Sequence, residues 1–267
     1  MRLFSKRVLG LFNWVLCRTH AFSEEVVDEL PALFRELGVD HVLLGGDFTT
    51  TALEEEFKVA RSFVERLPAP WTAIPGNHDV YTYRSQRKKV FYQFLENERP
   101  GEFGYSLKKD RVEARRLGGV YWLIALDVSR ATNLYSSRGF FSEKLEEKMK
   151  DVLSQIPKED AILVSCHYPF FQHDAHRRTL KRGDALRKVL EGDRRIKLFL
   201  HGHTHRHTIA DLQPSDLPVV LDCGSCAQKN RASWNLIDLH EKGCVVTAYR
   251  YKDGWKPFDK EDISWTI

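Results

Sequence analysis

Four apolar runs of strand length, each ending in a turn built from glycine, aspartate, asparagine or histidine, do most to limit what this chain can fold into. Residues 41–44 lead into Gly45-Gly-Asp47, residues 71–74 into Gly76-Asn-His-Asp79, residues 161–166 into His167-Tyr-Pro, and residues 196–200 into His201-Gly-His-Thr-His205. The segments between them carry apolar residues at helical spacing, and strands alternating with helices build a largely parallel sheet. The carboxyl ends of such strands open onto one crevice, where polar groups far apart in sequence come together.

The expected elements follow from that pattern. A helix over residues 23–37 precedes the first strand, and a second starts near Thr51, whose hydroxyl and Glu54 resemble a capping box, running to about residue 67. A basic helix covers residues 83–98, and residues 104–107, 112–117 and 120–127 read as antiparallel strands joined by charged turns. Helix 142–156, strand 161–166, helix 180–190 and strand 196–200 restore the alternation, and strands at 218–222, 233–240 and 244–251 follow. No repeat and no Ser/Pro linker divides the 267 residues, which implies one domain.

Composition narrows the class. Hydrophobic residues make up 42% of the chain, enough for a sizeable core, yet no run is long and apolar enough to span a bilayer. Five cysteines leave one over in any disulfide scheme, which favours a reducing, cytoplasmic setting. The net charge of +4 is accounted for by Arg2, Lys6, Arg7 and Arg18, in a stretch with no acid before Glu24. The remaining chain is charge-balanced, so no nucleic-acid partner is expected. Residues 1–20 mix those cations with Leu3, Phe4, Phe12, Trp14 and other large apolar residues. That is the make-up of a helix that lies peripherally on an anionic membrane, at its inner face, or docks on the body of the protein.

The turn residues form a mixed oxygen and imidazole set without thiolate, which suits a hydrolytic divalent centre better than a structural zinc. Gly46, Gly76 and Gly202 permit sharp turns and let phosphate approach without a Cβ in the way. Taken singly the residues have plainer readings: Asp47 leading a helix, Asn77 in a turn, His201 to His207 as an exposed histidine run. Their joint occurrence points to a metal site, with His201 and His207 as neighbours and His173 and His176 as surface residues. Cys223-Gly-Ser-Cys226 reads as a turn rather than a redox pair or half a zinc site, since zinc needs a second pair.

The order Gly-Asp, Gly-Asn-His-Asp, His and Gly-His-Thr-His across residues 45–205 resembles the calcineurin-like metallophosphoesterases. The resemblance implies an α/β four-layer sandwich, two mixed β-sheets flanked by helices, with a dinuclear centre at its edge. It implies that Asp47 bridges two divalent metal ions, manganese ahead of iron or zinc. Asn77, His167 and His203 complete one site and His205 serves the other. His78 is then the general acid near the leaving group, and a metal-bridging hydroxide attacks phosphorus in line with no covalent intermediate. Members of the family open with a strand ending in D-x-H, which furnishes an Asp and a His to the second site. Here only Cys17 and His20 are strong ligand types before Glu24. The expectation is that this strand lies about 10 to 25 residues upstream; a chain truly lacking it is expected to be an inactive, membrane-associated binding protein.

Substrate is read from the same comparison. Thr50 stands where the protein phosphatases carry an Asp, and Pro75 precedes Gly76 in place of Arg, so a Ser/Thr protein phosphatase is disfavoured. The bacterial phosphodiesterase and pyrophosphatase branch is more similar. The expected substrate is a lipid-linked pyrophosphate such as UDP-2,3-diacylglucosamine, with a soluble cyclic-nucleotide or general phosphodiester as the alternative. Arg84, Arg87 and Arg177 are then candidates to bind the diphosphate, and Phe91, Phe94, Phe140, Phe141, Phe170 and Phe171 to line an acyl site, against the plainer reading of core aromatics and solvated helix faces.

Overall fold

The structure, a computed structural model, describes residues 24–97, 100–133, 135–228 and 231–266. The basic apolar N-terminal segment, with Cys17 and His20, lies outside the described residues.

Helices α1 (Glu24–Asp28) and α2 (Leu30–Glu36) stand where one helix was expected. Pro31 opens the second helix, a position where its missing N–H is harmless, whereas it would break a continuous one. Strands β1 (Val42–Leu44) and β2 (Trp71–Ala73) pair in parallel across α3 (Glu54–Val64). That helix begins after Thr51 because Glu56 reaches back from inside it, its carboxylate accepting from the backbone N–H groups of Thr50, Thr51 and Leu53. The expected basic helix is two short ones, α4 (Tyr83–Arg87) and α5 (Phe91–Phe94), separated where Lys89 takes a left-handed backbone at φ 49°. Residues 104–107 do not form the expected strand. They run into a helical turn, α6 (Leu107–Asp110), capped by the Ser106 hydroxyl.

The chain continues through β3 (Val112–Gly118), β4 (Tyr121–Leu126), β5 (Gly139–Phe140), α7 (Glu143–Gln155), β6 (Ala161–Cys166), β7 (Leu180–Lys181), α8 (Gly183–Glu191) and β8 (Ile196–His201). Then come β9 (His207–Ala210), β10 (Val219–Cys223), β11 (Ser233–His240), β12 (Gly243–Tyr251) and β13 (Trp255–Ser264). Neither β9 nor β13 was anticipated. Both are edge strands, and β13 carries Lys, Asp and Glu at exposed positions that hide any alternation.

Six strands form one mixed sheet in the order β3-β4-β6-β8-β10-β9, parallel from β4 to β10 with an antiparallel strand at each edge. Every residue of β4 and β6 is buried, as a parallel strand covered on both faces requires. On one face, Leu145, Met149 and Val152 of α7 and Leu186 of α8 pack on Ile124, Val164 and Phe199. On the other, Leu123, Leu163, Leu198 and Leu221 meet Leu43 of β1 together with Cys244, Val246 and Ile263 of the β11-β12-β13 sheet. The pairs β1-β2 and β11-β12-β13 thus share one layer, in two pieces that make no strand pairing with each other among the described residues. Outside that layer, α2 packs Leu30 and Phe34 on Val42, Trp234 and Tyr249, while α3 and α5 bury Phe57 and Phe91 on Ala73 and Ile74. The result is the helix, sheet, sheet, helix stacking of an α/β sandwich.

Candidate metal centre

The turns after β1 and β2 touch backbone to backbone, and the glycines show why. A Cβ on Gly46 would lie 2.5 Å from the Gly76 nitrogen and 2.9 Å from His167 Nδ1, and one on Gly76 would lie 2.1 Å from Asp47 Oδ1. Gly46 also sits at φ 100°. Their bare Cα atoms serve contact between turns, not the room for phosphate that the sequence suggested. Around Gly202 nothing lies nearer than 3.8 Å, so packing does not demand glycine there. Asp47, His203 and His205 themselves adopt left-handed backbone, at φ 63°, 67° and 56°. Each such non-glycine residue is held against a penalty of roughly 1–2 kcal/mol by its surroundings.

One of those surroundings is Asp79, which the sequence reading left without a role. Its carboxylate, 1% exposed, accepts from the N–H groups of Asp47 at 2.8 Å, Gly76 at 2.8 Å and Thr49 at 3.0 Å, and from the Thr49 hydroxyl at 3.1 Å. It clamps the two turns together. Burial, with the Asp47 carboxylate beside it, pushes its pKa up to about 7. The last residue of Gly-Asn-His-Asp was the available signal.

Into the clamped corner come two imidazoles. His167, at the end of β6, donates Nδ1–H to the Gly45 carbonyl at 2.7 Å, and its Nε2 lies 3.5 Å from Asp47 Oδ2. His203, in the turn after β8, gives Nε2–H to the Arg178 carbonyl at 3.0 Å, leaving Nδ1 facing His167 Nε2 at 3.3 Å. With those tautomers the two facing nitrogens are both acceptors, and the Asp47 carboxylate is a third; only a proton or a cation satisfies all of them. Burial alone would lower the His167 pKa, but Asp47 carries it upward, while burial takes His203 down to about 3. Burial likewise opposes ionisation of Asp47, yet His167 and His78 hold it well below the ordinary carboxylate range. Asn77 adds an amide oxygen that is buried without any hydrogen-bond partner. Asp47, His167 and His203 form a chain of contacts rather than a closed triad, and among the described residues no three His, Cys, Asp or Glu side chains gather tightly enough to hold an ion by themselves. The orphaned amide oxygen of Asn77 supplies the further donor such a site needs, so the residues present fit a divalent cation.

His78 is tied to the same centre by its backbone N–H, which donates to Asp47 Oδ1 at 2.9 Å. Its ring gives Nδ1–H to the Thr50 carbonyl at 2.8 Å and stacks on Tyr81 at 5.7 Å. Thr50 therefore orients the imidazole through its backbone, a role its side-chain identity concealed. His205 lines a depression with Arg206, His207, Arg231, Ser233 and Arg250. The connecting Thr204 donates its hydroxyl to Asp222 of β10, a buried carboxyl raised to about 7 by that burial. Asp222 is a second positioning residue that the sequence did not disclose, because it closes a strand and carries no motif.

Among the remaining candidates, Arg84 and Arg87 project as exposed side chains from α4, and Arg177 is exposed beside Arg178, whose carbonyl holds His203. Phe91, Phe141 and Phe170 are core residues, 1%, 0% and 6% exposed, and are lost to any acyl wall; Phe171 stays exposed. His173 is half-buried, not a surface residue, its ring 5.5 Å from that of His203. Cys166 points into the core, and burial raises its thiol to about 12. Cys223 and Cys226 are free thiols, and burial raises Cys223 to about 12 as well, so neither is a ready nucleophile.

A family model described as calcineurin-like phosphoesterase matches residues 19–207. The fold is similar to that of a dimetal phosphatase from Danio rerio, with a TM-score of 0.72 at 15% identity over 91% of this chain and 89% of that one. It is also similar to TT1561 of Thermus thermophilus, with a TM-score of 0.52 at 11% identity over 85% and 92% of the two chains. Among curated proteins the chain finds no match.

Proposed function

Because the chain belongs to the calcineurin-like phosphoesterase family, and is thus a phosphoester hydrolase, we propose that Asp47, Asn77, His167 and His203 hold one divalent cation, that Asp47 and His205 serve a second, and that His78 is the proton donor. The observation that carries this is the convergence of three acceptors, Asp47 Oδ2, His167 Nε2 and His203 Nδ1, beside the orphaned Asn77 oxygen. The oxygen and imidazole donors favour manganese or iron over a thiolate-bound zinc. A divalent cation bound there supplies Lewis-acid charge for a phosphoryl oxygen and activates water at neutral pH.

The protein's own part is positioning and proton transfer. With Nδ1–H committed to Thr50, the imidazolium form of His78 keeps its Nε2 proton as the one that can pass to a leaving oxygen. The bond from the His78 backbone to Asp47 fixes that donor relative to the carboxylate expected to bridge the metals. The substrate is a phosphodiester or pyrophosphate. Exposed Phe171, Arg84, Arg87 and Arg177 keep a lipid-linked pyrophosphate within the proposal, as does the apolar make-up of residues 1–20. No helix among the described residues is long and apolar enough to cross a membrane.

Hydrolysis of bis-p-nitrophenyl phosphate by the manganese-loaded protein in isotopically labelled water tests the reaction. Label appearing on phosphorus in one step is expected, and trapping of a phosphoenzyme overturns the reading. Turnover of UDP-2,3-diacylglucosamine in mixed micelles, compared with the soluble ester, decides between lipid-linked and soluble substrates.

A further inference from the structure

We propose that the depression beside His205 is a second anion site, and that the substrate class is therefore one carrying two anionic groups, a diphosphate or a bisphosphate. The inference rests on the phosphoester reading only for the first of those anions. The depression is a cavity of about 420 Å³ lined by His205, Arg206, His207, Arg231, Ser233 and Arg250. That volume lies in the usual range for small-molecule sites.

What sets its arginines apart is that three of them, none held by a carboxylate among the described residues, line one cavity. Arg111, Arg115, Arg182, Arg187 and Arg195 each pair with a carboxylate at 2.5–3.0 Å. Arg206, Arg231 and Arg250 make no ion pair among the described residues, though all three are exposed on one wall. The acids near this face act only at a distance, Asp222 on Arg206 and Asp259 and Glu261 on His207. Arg250 is held in place all the same: its guanidinium lies over the Phe258 ring, 4.0 Å from the centroid, on the exposed face of β13. His207 packs on the same ring at 5.0 Å and bonds Asn235 at 3.1 Å through Nε2. A guanidinium placed in this way and free of a carboxylate can fork onto phosphate oxygens.

Position supplies the link to the metal centre. His203 faces His167, and His205 lines the cavity with one residue between them, so their Cα atoms are within about 7 Å of each other. The turn after β8 thus contributes one residue to the ligand cluster and the next but one to the cavity, which makes the cavity a neighbour of the site where a phosphoryl group would sit. The surface around the cavity belongs to a chain that is charge-balanced outside its N-terminus, so the positive character is local and of small-molecule size.

Calorimetry on metal-free protein with pyrophosphate as the probe reads the cavity without any catalysis. Wild type and Asp47→Ala are expected to bind alike, and Arg231→Ala/Arg250→Ala at least tenfold more weakly with an unchanged melting temperature. No binding by wild type, or equal binding by all three, overturns the site. Kinetics with manganese then separate a substrate group from a free anion. The double variant is expected to raise KM for UDP-glucose at least tenfold relative to KM for bis-p-nitrophenyl phosphate, whereas parallel changes overturn the two-anion substrate. If wild type hydrolyses neither compound the phosphoester reading fails, and pyrophosphate binding still decides the cavity.

Discussion

His203 and His205 stand one residue apart in the turn after β8 but face regions built on opposite principles. On the His203 side, nearly every polar group is held by another: His203 by the Arg178 carbonyl, His167 by Gly45, and the Asp47 backbone by Asp79. On the His205 side, long cationic side chains from three separate segments border open space with no ion pair among the described residues, and Arg250 lies over the Phe258 ring. The difference teaches where positional accuracy is needed. A cation must find its donors already placed, whereas an anion of variable shape is met by flexible forks.

The sharpest way to break this contrast is through the glycines. Gly76→Ala drives a Cβ into Asp47 Oδ1 and is expected to abolish both metal content and activity, while Gly202→Ala, with nothing nearer than 3.8 Å, is expected to keep both; metal analysis of the purified variants reads the difference. Equal loss from the two would show that the walled region is not tight. Asp47→Ala and His167→Ala belong with the first outcome.

His78→Ala comes next, with a rate lowered roughly 10²- to 10⁴-fold while manganese is retained, because the ring bonds Thr50 and not the ligands. Loss of metal from this variant would move His78 into the ligand set. Asp79→Ala is expected to act through the fold: it leaves three backbone N–H groups without their acceptor, each costing about 1–3 kcal/mol when buried. Differential scanning calorimetry should show a melting temperature at least ~6 °C lower, and an unchanged value would refute the clamp.

The smallest effect is a pH dependence outside the centre. Burial, with Arg115 adding to it, lowers the His41 pKa to about 4, and its Nε2 meets the Thr72 hydroxyl at 3.0 Å. Its folded pKa lies below its unfolded value near 6.5, so the stability it contributes is present above pH 6.5 and is lost as pH falls toward 4. Between pH 7.5 and 5 this amounts to roughly 2 kcal/mol, or ~5 °C of melting temperature. His41→Gln should remove that part of the pH profile.

The sequence made the walled region legible and hid the open one, for a physical reason. Ala161–Cys166 and Ile196–His201 announce themselves because strands covered on both faces must be largely apolar, and the residues after them are fixed by the strand ends. Nothing in a sequence pattern brings Arg231 and Arg250 to Arg206, since antiparallel pairing of β11 with β12 does that, with Ser233 opposite Arg250. The same limit applies to helices. The break at Lys89 depends on one left-handed residue, and the capping of α3 on a glutamate acting backward from within the helix. Thr50 was legible only as a departure from the protein phosphatases, while its part in orienting His78 lies in a backbone carbonyl, 2.8 Å from Nδ1, that no side-chain pattern reveals.

Anomalous diffraction from crystals soaked in manganese tests the central claim most directly, since it locates the ion without reference to activity. A peak is expected bounded by Asp47 Oδ2, Asn77 Oδ1, His167 Nε2 and His203 Nδ1, and absent from crystals of Asn77→Ala. No peak within reach of Asp47, or a peak at these four atoms that survives intact in Asn77→Ala, would contradict the assignment of this corner as the metal centre.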